Sequence, residues 1–237
     1  MQRRNRVTVA GLALLGPVVL ISLGVLTGLV ASTSYQTPEI PTTSADPLAG
    51  AVLQPDDLPA QFARESSSGS ASLDEEVNAA SQGQPFLSQD RFRSSLESYG
   101  FLRAFRAFYR ANAESQVEGG LLFVGSQVWL LSNEEGAQSA FIESVRTTNE
   151  SPIPQADAVD GFSPMGDASE AFFSYGPSTD QGRLEGYLVY IRVGRLVGFL
   201  GTTSTPGDAD EQEAIDIARS FVSRMEVYEP ELKAIVD

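Results

Sequence analysis

The sequence contains no cysteine and no histidine among its 237 residues. The absence of cysteine excludes disulfides, cysteine nucleophiles and lipid attachment at a cysteine. The absence of histidine excludes catalytic triads that need an imidazole, and the absence of both excludes Cys/His zinc sites. Lysine is almost absent as well, since Lys233 is the one lysine among 16 basic residues. No glycine-rich phosphate loop and no G-x-S-x-G motif is found. The chemistry that remains open depends on carboxylates, and we expect no cofactor and no metal.

Positive charge is scarce after the first few residues. Arg3, Arg4 and Arg6 precede the first acidic residue, Glu39, so the rest of the chain carries 13 basic against 31 acidic residues. A surface of this sign repels phosphate backbones, which argues against nucleic-acid binding. It is compatible with neutral or cationic partners, and it also promotes solubility without any partner.

Charged side chains are missing altogether from Val7 to Ser32. The segment Val7–Ala31 exceeds the apolar core of a signal peptide and suffices to cross a bilayer core of about 30 Å as a helix. Basic residues remain on the cytoplasmic side, so the acidic bulk of the chain is predicted to lie outside. The sequence favours a retained single-pass anchor in the lipid bilayer; a cleaved signal with a secreted domain is the alternative.

The remaining sequence divides by composition. Residues 1–31 are predicted to form the signal anchor, 32–50 a Ser/Thr/Pro-rich tether, 51–228 one extracytoplasmic domain and 229–237 a C-terminal tail, either frayed or an irregular arm. A domain of about 185 residues can bury a core large enough to fold without disulfides.

Period and cap signals predict alternating helices and strands in this domain. Ser88 is predicted to cap a helix that Gly100 ends. The next segment, FLRAFRAFYRA at 101–111, fits either a helical stripe or a strand, and its aromatic content favours the strand. A further strand, bulged at Gly125, is predicted within 119–132, and a helix with a Ser132/Glu135 capping box follows it.

The C-terminal half contains the clearest patterns. A strand is predicted at Glu170–Tyr175, and a hairpin joins 184–193 to 196–203 through Gly194 and Arg195. A long amphipathic helix follows, with Asp208 and Glu211 at cap spacing. These elements predict an α+β fold, an antiparallel β-sheet packed with helices on one or both faces.

The order of five segments resembles that of a known class of exported domains. These segments are LQPDDLPAQF, SNEEGAQSAF, VDGFSPMGDAS, IRVGRLVGFL and EAIDIARSFVSRM. The chain is similar in this pattern to bacterial PsbP-like or LpqN-like domains. The resemblance implies an α/β/α sandwich and a binding or accessory role at the envelope. The lipoprotein members carry a lipidated cysteine, which this chain lacks.

Two groups of residues are candidates for ligand binding. Phe101, Phe105 and Tyr109 would line an apolar pocket, and Arg192 and Arg195, which flank the hairpin turn, would receive an anionic group. The alternative is that the aromatic residues pack in the core and that the arginines pair with local acids.

Acidic groups provide two further candidates. Carboxylate pairs such as Glu75/Glu76 or Asp208/Asp210 would be needed for acid–base catalysis, although acids at helix N-termini have a structural explanation. Calcium could bind the oxygens of Asp157, Asp160, Asp167 and Glu170, but their spacing does not match a known calcium loop.

Three functions follow as hypotheses. The first is a membrane-anchored, non-catalytic binding or accessory domain outside the cytoplasm, with an unknown envelope protein or other envelope component as its partner. The second is a carrier or sensor of a small apolar ligand, which requires a cavity of about 300 Å³ or more. The third is a carboxylate-based hydrolase, with two facing acids about 5–10 Å apart.

Overall fold

The computed structural model describes residues 46–83, 88–112, 120–150, 156–179 and 182–236. The predicted membrane segment Val7–Ala31 and most of the predicted tether lie outside these ranges. No helix within the described ranges is both long enough and apolar enough to cross a bilayer.

The described chain alternates between helices and strands. Its elements, in order, are α1 (Leu48–Ala51), a 3-10 turn (Pro55–Asp57), β1 (Phe62–Arg64), β2 (Gly69–Ala71), α2 (Leu73–Gly83), α3 (Gln89–Ser98), β3 (Phe101–Ala111), β4 (Leu121–Leu131), α4 (Glu134–Glu150), β5 (Ala156–Ala158), β6 (Ala168–Thr179), β7 (Gly182–Val193), β8 (Leu196–Ser204) and α5 (Glu211–Val236).

The strands form one antiparallel sheet of eight strands. Its order is β1-β3-β4-β8-β7-β6-β5, and β2 also pairs with β3. All nine residues of β8, at the centre, are buried. A strand that is covered on both faces reads as a continuous apolar run, as LVGFL does here.

The sheet separates two hydrophobic cores, one on each face. On the α5 face, sheet residues such as Val128 and Leu200 pack against Phe221 and Met225 of α5 and against α1. On the opposite face, the α4 face, Trp129 and its neighbours pack against α2, α3 and α4. The predicted α+β class with an antiparallel sheet is confirmed, and helices cover both faces.

Local signals predicted several elements correctly. The Ser88 hydroxyl accepts a hydrogen bond from the Arg91 N–H at 3.4 Å and caps α3. The segment 101–111 is a strand, as its aromatic content indicated. Gly194 turns the β7–β8 hairpin with φ at 54°, the left-handed region that a primed turn requires at its first position.

The predicted caps and the predicted bulge were misplaced by a few residues. Asn133 rather than Ser132 begins α4, since its Oδ1 accepts from the Gly136 N–H at 2.8 Å. Asp210 rather than Asp208 caps α5 by accepting from the Glu213 N–H at 3.0 Å. Gly125 pairs regularly on both sides, and the irregularity in β4 lies between Leu121 and Phe123.

The folded region extends further in both directions than the composition predicted. Leu48, placed in the tether, is fully buried in the core of the α5 face. At the other end, α5 continues through Pro230 to Val236 although residues from 229 were expected to fray or to form an irregular arm. Proline inside a helix removes one backbone donor. Full burial of Leu232 holds this last part of the helix against the sheet.

Candidate functional site

The three aromatic residues predicted to bind a ligand lie in the cores. Phe105 and Tyr109 are buried on the α5 face, whereas Phe101 is buried on the α4 face. The register shift between Phe101 and Arg103 moves Phe101 to the other face, with Leu102 as the extra residue. The structure therefore does not bring the three rings together.

The Tyr109 hydroxyl is occupied within the fold. It donates a hydrogen bond to the Leu53 carbonyl at 2.7 Å. Burial raises the pKa of Tyr109 to about 12, so the phenol stays protonated at neutral pH. Its hydrogen bond joins β3 to the segment that follows α1.

Arg192 and Arg195 both serve the region of the hairpin turn. Arg192 forms an ion pair with Asp167 at 3.2 Å. Arg195 is 5% exposed and donates to the carbonyls of Ser132 at 3.1 Å and Lys233 at 2.9 Å. These contacts join the turn to β4 and to the C-terminal part of α5.

The arginines of β3 pair with acids from the segments around the strand. Arg103 pairs with Asp46 at 3.2 Å and Arg110 with Glu65 at 2.5 Å. Arg106 pairs with Glu76, whose other carboxylate oxygen accepts from the Gln127 amide at 2.8 Å. Because Glu76 is fully buried, this ion pair and its amide partner attach α2 to the sheet.

The acids considered for calcium do not converge. Asp167 accepts from the Gly194 N–H at 2.7 Å and so belongs to the hairpin turn. Among the residues that the structure describes, no three acidic side chains have a geometry that could hold a metal ion.

An open groove of about 560 Å³ lies between α5 and the segment around Asp57. Its lining includes Asp57, Asp210, Glu213 and Asp216. Burial raises the pKa of Glu213, and the neighbouring Asp210 adds to the effect. Three of these four acids have structural partners: Asp57 binds Arg224, Asp210 caps α5, and Asp216 pairs with Arg219 at 2.8 Å.

A second space lies between the N-terminal part of α5 and strands β6 and β7. It is lined by Phe162, Tyr187 and Ile215 among others and holds about 10 Å³. This volume is about that of one water-sized probe, far below the volume that a small apolar ligand needs.

Next to this space, aromatic side chains form a partly exposed strip on the α5 face. We call Phe173, Tyr175 and Tyr187 the aromatic strip. Phe173 contacts Tyr175 and Tyr187 edge-on, with ring centroids 5.0 and 5.2 Å apart. Phe173 and Tyr175 are half-buried, and Tyr187 is 8% exposed. The strip thus runs outward from beneath α5 toward solvent.

Strand register explains why these rings meet. Phe173 lies directly opposite Tyr187, and Tyr175 lies opposite Glu185. Directly opposed residues share a face of the sheet, and so do residues two apart on one strand. The spacing of Phe173 and Tyr175 was a signal available in the sequence. The position of Tyr187 depends on the pairing register, which sequence reasoning did not provide.

Charged side chains lie at the strip. The Arg183 guanidinium lies over the Tyr175 ring, 5.0 Å from its centroid, and also donates to the Gly176 carbonyl at 2.9 Å. Burial raises the pKa of Tyr187, and the negative charges of Glu211, Asp210 and Glu185 raise it further. Glu185 lies opposite Tyr175 on the neighbouring strand, and Glu211, which follows Asp210, lines the same small space as Tyr187. We call Glu185, Asp210 and Glu211 the acidic rim.

Comparisons with known proteins give a structural likeness. No protein-family model matches the chain, and no curated protein does. The structure is similar to the extracellular domain of PknH from Mycobacterium tuberculosis, with a TM-score of 0.50 and 10% identity, over 78% of this chain and 97% of that one. At this identity the likeness shows a shared fold. The resemblance to PsbP-like or LpqN-like domains stays a prediction.

Proposed function

We propose that this chain is a non-catalytic binding domain outside the cytoplasm, held at the membrane by Val7–Ala31, and that the aromatic strip is its docking surface. The observation that carries the proposal is the strip itself, in which Phe173 contacts the rings of both Tyr175 and Tyr187 and two of the three side chains are half-buried. Tyrosine, phenylalanine and arginine are enriched in protein interfaces, where few residues supply most of the binding energy.

Two further observations support the location. The fold is shared with an extracellular domain. In the sequence, Arg3, Arg4 and Arg6 precede the apolar segment and no acidic residue does, an asymmetry that orients the C-terminal bulk outward.

The other two hypotheses receive less support. A carrier of small apolar ligands needs a lined cavity, whereas the space between α5 and strands β6 and β7 holds about 10 Å³. A carboxylate hydrolase would use the groove beside α5, where three acids around Glu213 are already engaged in caps or ion pairs.

A reporter that is active only outside the cytoplasm, fused after Asp237, tests the location. We expect activity in the membrane fraction. As the matched control, Arg3→Glu/Arg4→Glu/Arg6→Glu should reduce the activity, because it removes the charge asymmetry that fixes orientation. Absence of reporter activity although the fusion protein accumulates in the cell would contradict the proposal.

Site-specific photo-crosslinking in intact cells tests the docking surface. A photoreactive residue at Tyr175 should give a discrete crosslinked species. The matched control places the same residue at Ile142, which is 53% exposed on α4 and lies on the other side of the sheet. Equal crosslinking from both positions, or none from Tyr175, would count against the aromatic strip.

A further inference from the structure

We propose that the partner presents a basic segment and that arginine side chains of this segment stack on the aromatic strip between the acids of the rim. This inference rests on the proposed function and deepens it, because it names the chemistry of the partner. It follows from one contact within the chain and from the charges around it.

The contact is the one between Arg183 and Tyr175. A guanidinium 5.0 Å from a ring centroid is within the range where the negative face of the ring attracts a cation. The strip therefore already accepts an arginine in the geometry that a partner's arginine would adopt. Arg183 is exposed, so the stacked position can be reached from solvent.

The charges around the strip are complementary to such a segment. Glu185, on β7, lies opposite Tyr175, while Asp210 and Glu211 lie at the start of α5, where Glu211 lines the same small space as Tyr187. Glu185 accepts from the Gly207 N–H at 2.9 Å and Asp210 caps α5, so these two contribute their charge rather than a free carboxylate. Acids beside aromatic rings favour a partner that combines positive charge with a flat surface. After the first six residues the chain carries 31 acidic and 13 basic residues. This excess of negative charge would also accelerate the encounter with a basic partner.

The geometry favours arginine over lysine. A guanidinium is planar and weakly hydrated, so it can lie flat on a ring while it donates to a carboxylate at its edge. An ammonium is compact and strongly hydrated, and it gains less from the ring. Binding through the strip should therefore distinguish two peptides of equal charge.

The test uses the full-length chain in non-ionic detergent and two fluorescent peptides, one with six arginines and one with six lysines, both spaced by glycine and serine. In fluorescence anisotropy we expect the arginine peptide to bind about threefold or more tightly than the lysine peptide. Tyr175→Leu, which keeps an apolar side chain and the net charge, should abolish this preference.

Arg183→Gln provides a gain-of-binding test. It removes the cation that occupies the ring and should tighten arginine-peptide binding by about threefold. Arg93→Gln is the matched control, since it removes the same charge on α3, on the other side of the sheet. It should change the affinity much less.

Other outcomes would overturn the inference. They are equal affinity for both peptides, equal effects of Arg183→Gln and Arg93→Gln, or binding of neutral glycans but not of the peptides. If Tyr175 crosslinks a partner in cells and the arginine peptide does not compete, the basic partner is wrong while the binding domain stands. If the peptide preference holds and the reporter stays in the cytoplasm, the location is wrong instead.

Discussion

The guanidinium of Arg195 donates to the main-chain carbonyl of Lys233 at 2.9 Å, although 38 positions separate the two residues. Arg195 lies in the β7–β8 turn, and Lys233 lies in the last part of α5. A buried cation near the C-terminal end of a helix satisfies a carbonyl there and stabilises the helix dipole. An arginine that the sequence presented as a candidate ligand contact thus holds the last helix on the sheet.

Replacing Arg195 should lower stability. Arg195→Ala removes charged hydrogen bonds to two carbonyls, and we expect the free energy of unfolding to fall by about 2–4 kcal/mol in urea denaturation. Arg219→Gln, at an exposed position on α5, is the control and should change it by less than about 0.5 kcal/mol. A small effect of Arg195→Ala would show that the carbonyls find other donors.

The buried carboxylate of Glu76 gives a second prediction. Glu76→Gln leaves Arg106 without its counter-charge beneath α2, and the expected loss is about 2–3 kcal/mol because Arg106 retains some access to water. Urea denaturation measures this loss. Glu97→Gln removes the same charge from an exposed position on α3 and should be nearly neutral. Equal losses of stability for Glu76→Gln and Glu97→Gln would mean that a negative charge at position 76 acts only through the net charge of the protein, and not through its pairing with Arg106.

The groove beside α5 predicts a pH-dependent effect. Burial and Asp210 raise the pKa of Glu213 from its ordinary value of 4.5. A carboxyl with a raised folded pKa contributes stability below pH 4.5, and this contribution is lost as the pH rises through the folded pKa. Glu213→Gln imitates the protonated form, so it should raise the Tm at pH 7, with the difference shrinking toward pH 4. A Tm difference between Glu213→Gln and the unsubstituted protein that stays constant from pH 4 to pH 7 would contradict the raised pKa of Glu213.

Two glycines should respond differently to alanine. A Cβ at Gly186 would lie 2.0 Å from the Thr202 carbonyl oxygen on the neighbouring strand, and this is a clash with backbone rather than with the end of a flexible side chain. We expect Gly186→Ala to destabilise the protein by about 3 kcal/mol or more. At Gly69 a Cβ would meet no atom within 4 Å, so Gly69→Ala should change stability by less than about 1 kcal/mol. Thermal unfolding of the two variants provides the comparison.

Prediction from the sequence succeeded for elements with a strong hydrophobic periodicity. It failed where an element depends on contacts with residues that are distant in the chain. The hairpin around Gly194 and the amphipathic residues of α5 follow from periods of 2 and 3.6. The continuation of α5 past Pro230 depends on the burial of Leu232 and on Arg195, which no local signal indicates. Tertiary contacts override the cost of a proline inside the helix.

The candidate site shows the same limit more strongly. The spacing of Phe101, Phe105 and Tyr109 predicts that they share one face of a regular strand, and a single extra residue, Leu102, divides them between two faces. The aromatic strip depends on the register of β6 and β7, which pairs Phe173 with Tyr187. Register is set by the whole sheet, so residue type alone could not provide it.

The ion pair between Asp46 and Arg103 shows at which end the chain enters the domain. Arg103 pairs with Leu130, which pairs with Leu196, next to the β7–β8 turn. The aromatic strip lies at the far end of the sheet, since Tyr187 is six residues, or about 20 Å, along β7 from Val193. Asp46, the first residue that the structure describes, and the aromatic strip therefore lie toward opposite ends of the sheet. A partner bound at the rings would therefore be separated from the point where the chain enters the domain by most of the length of the sheet.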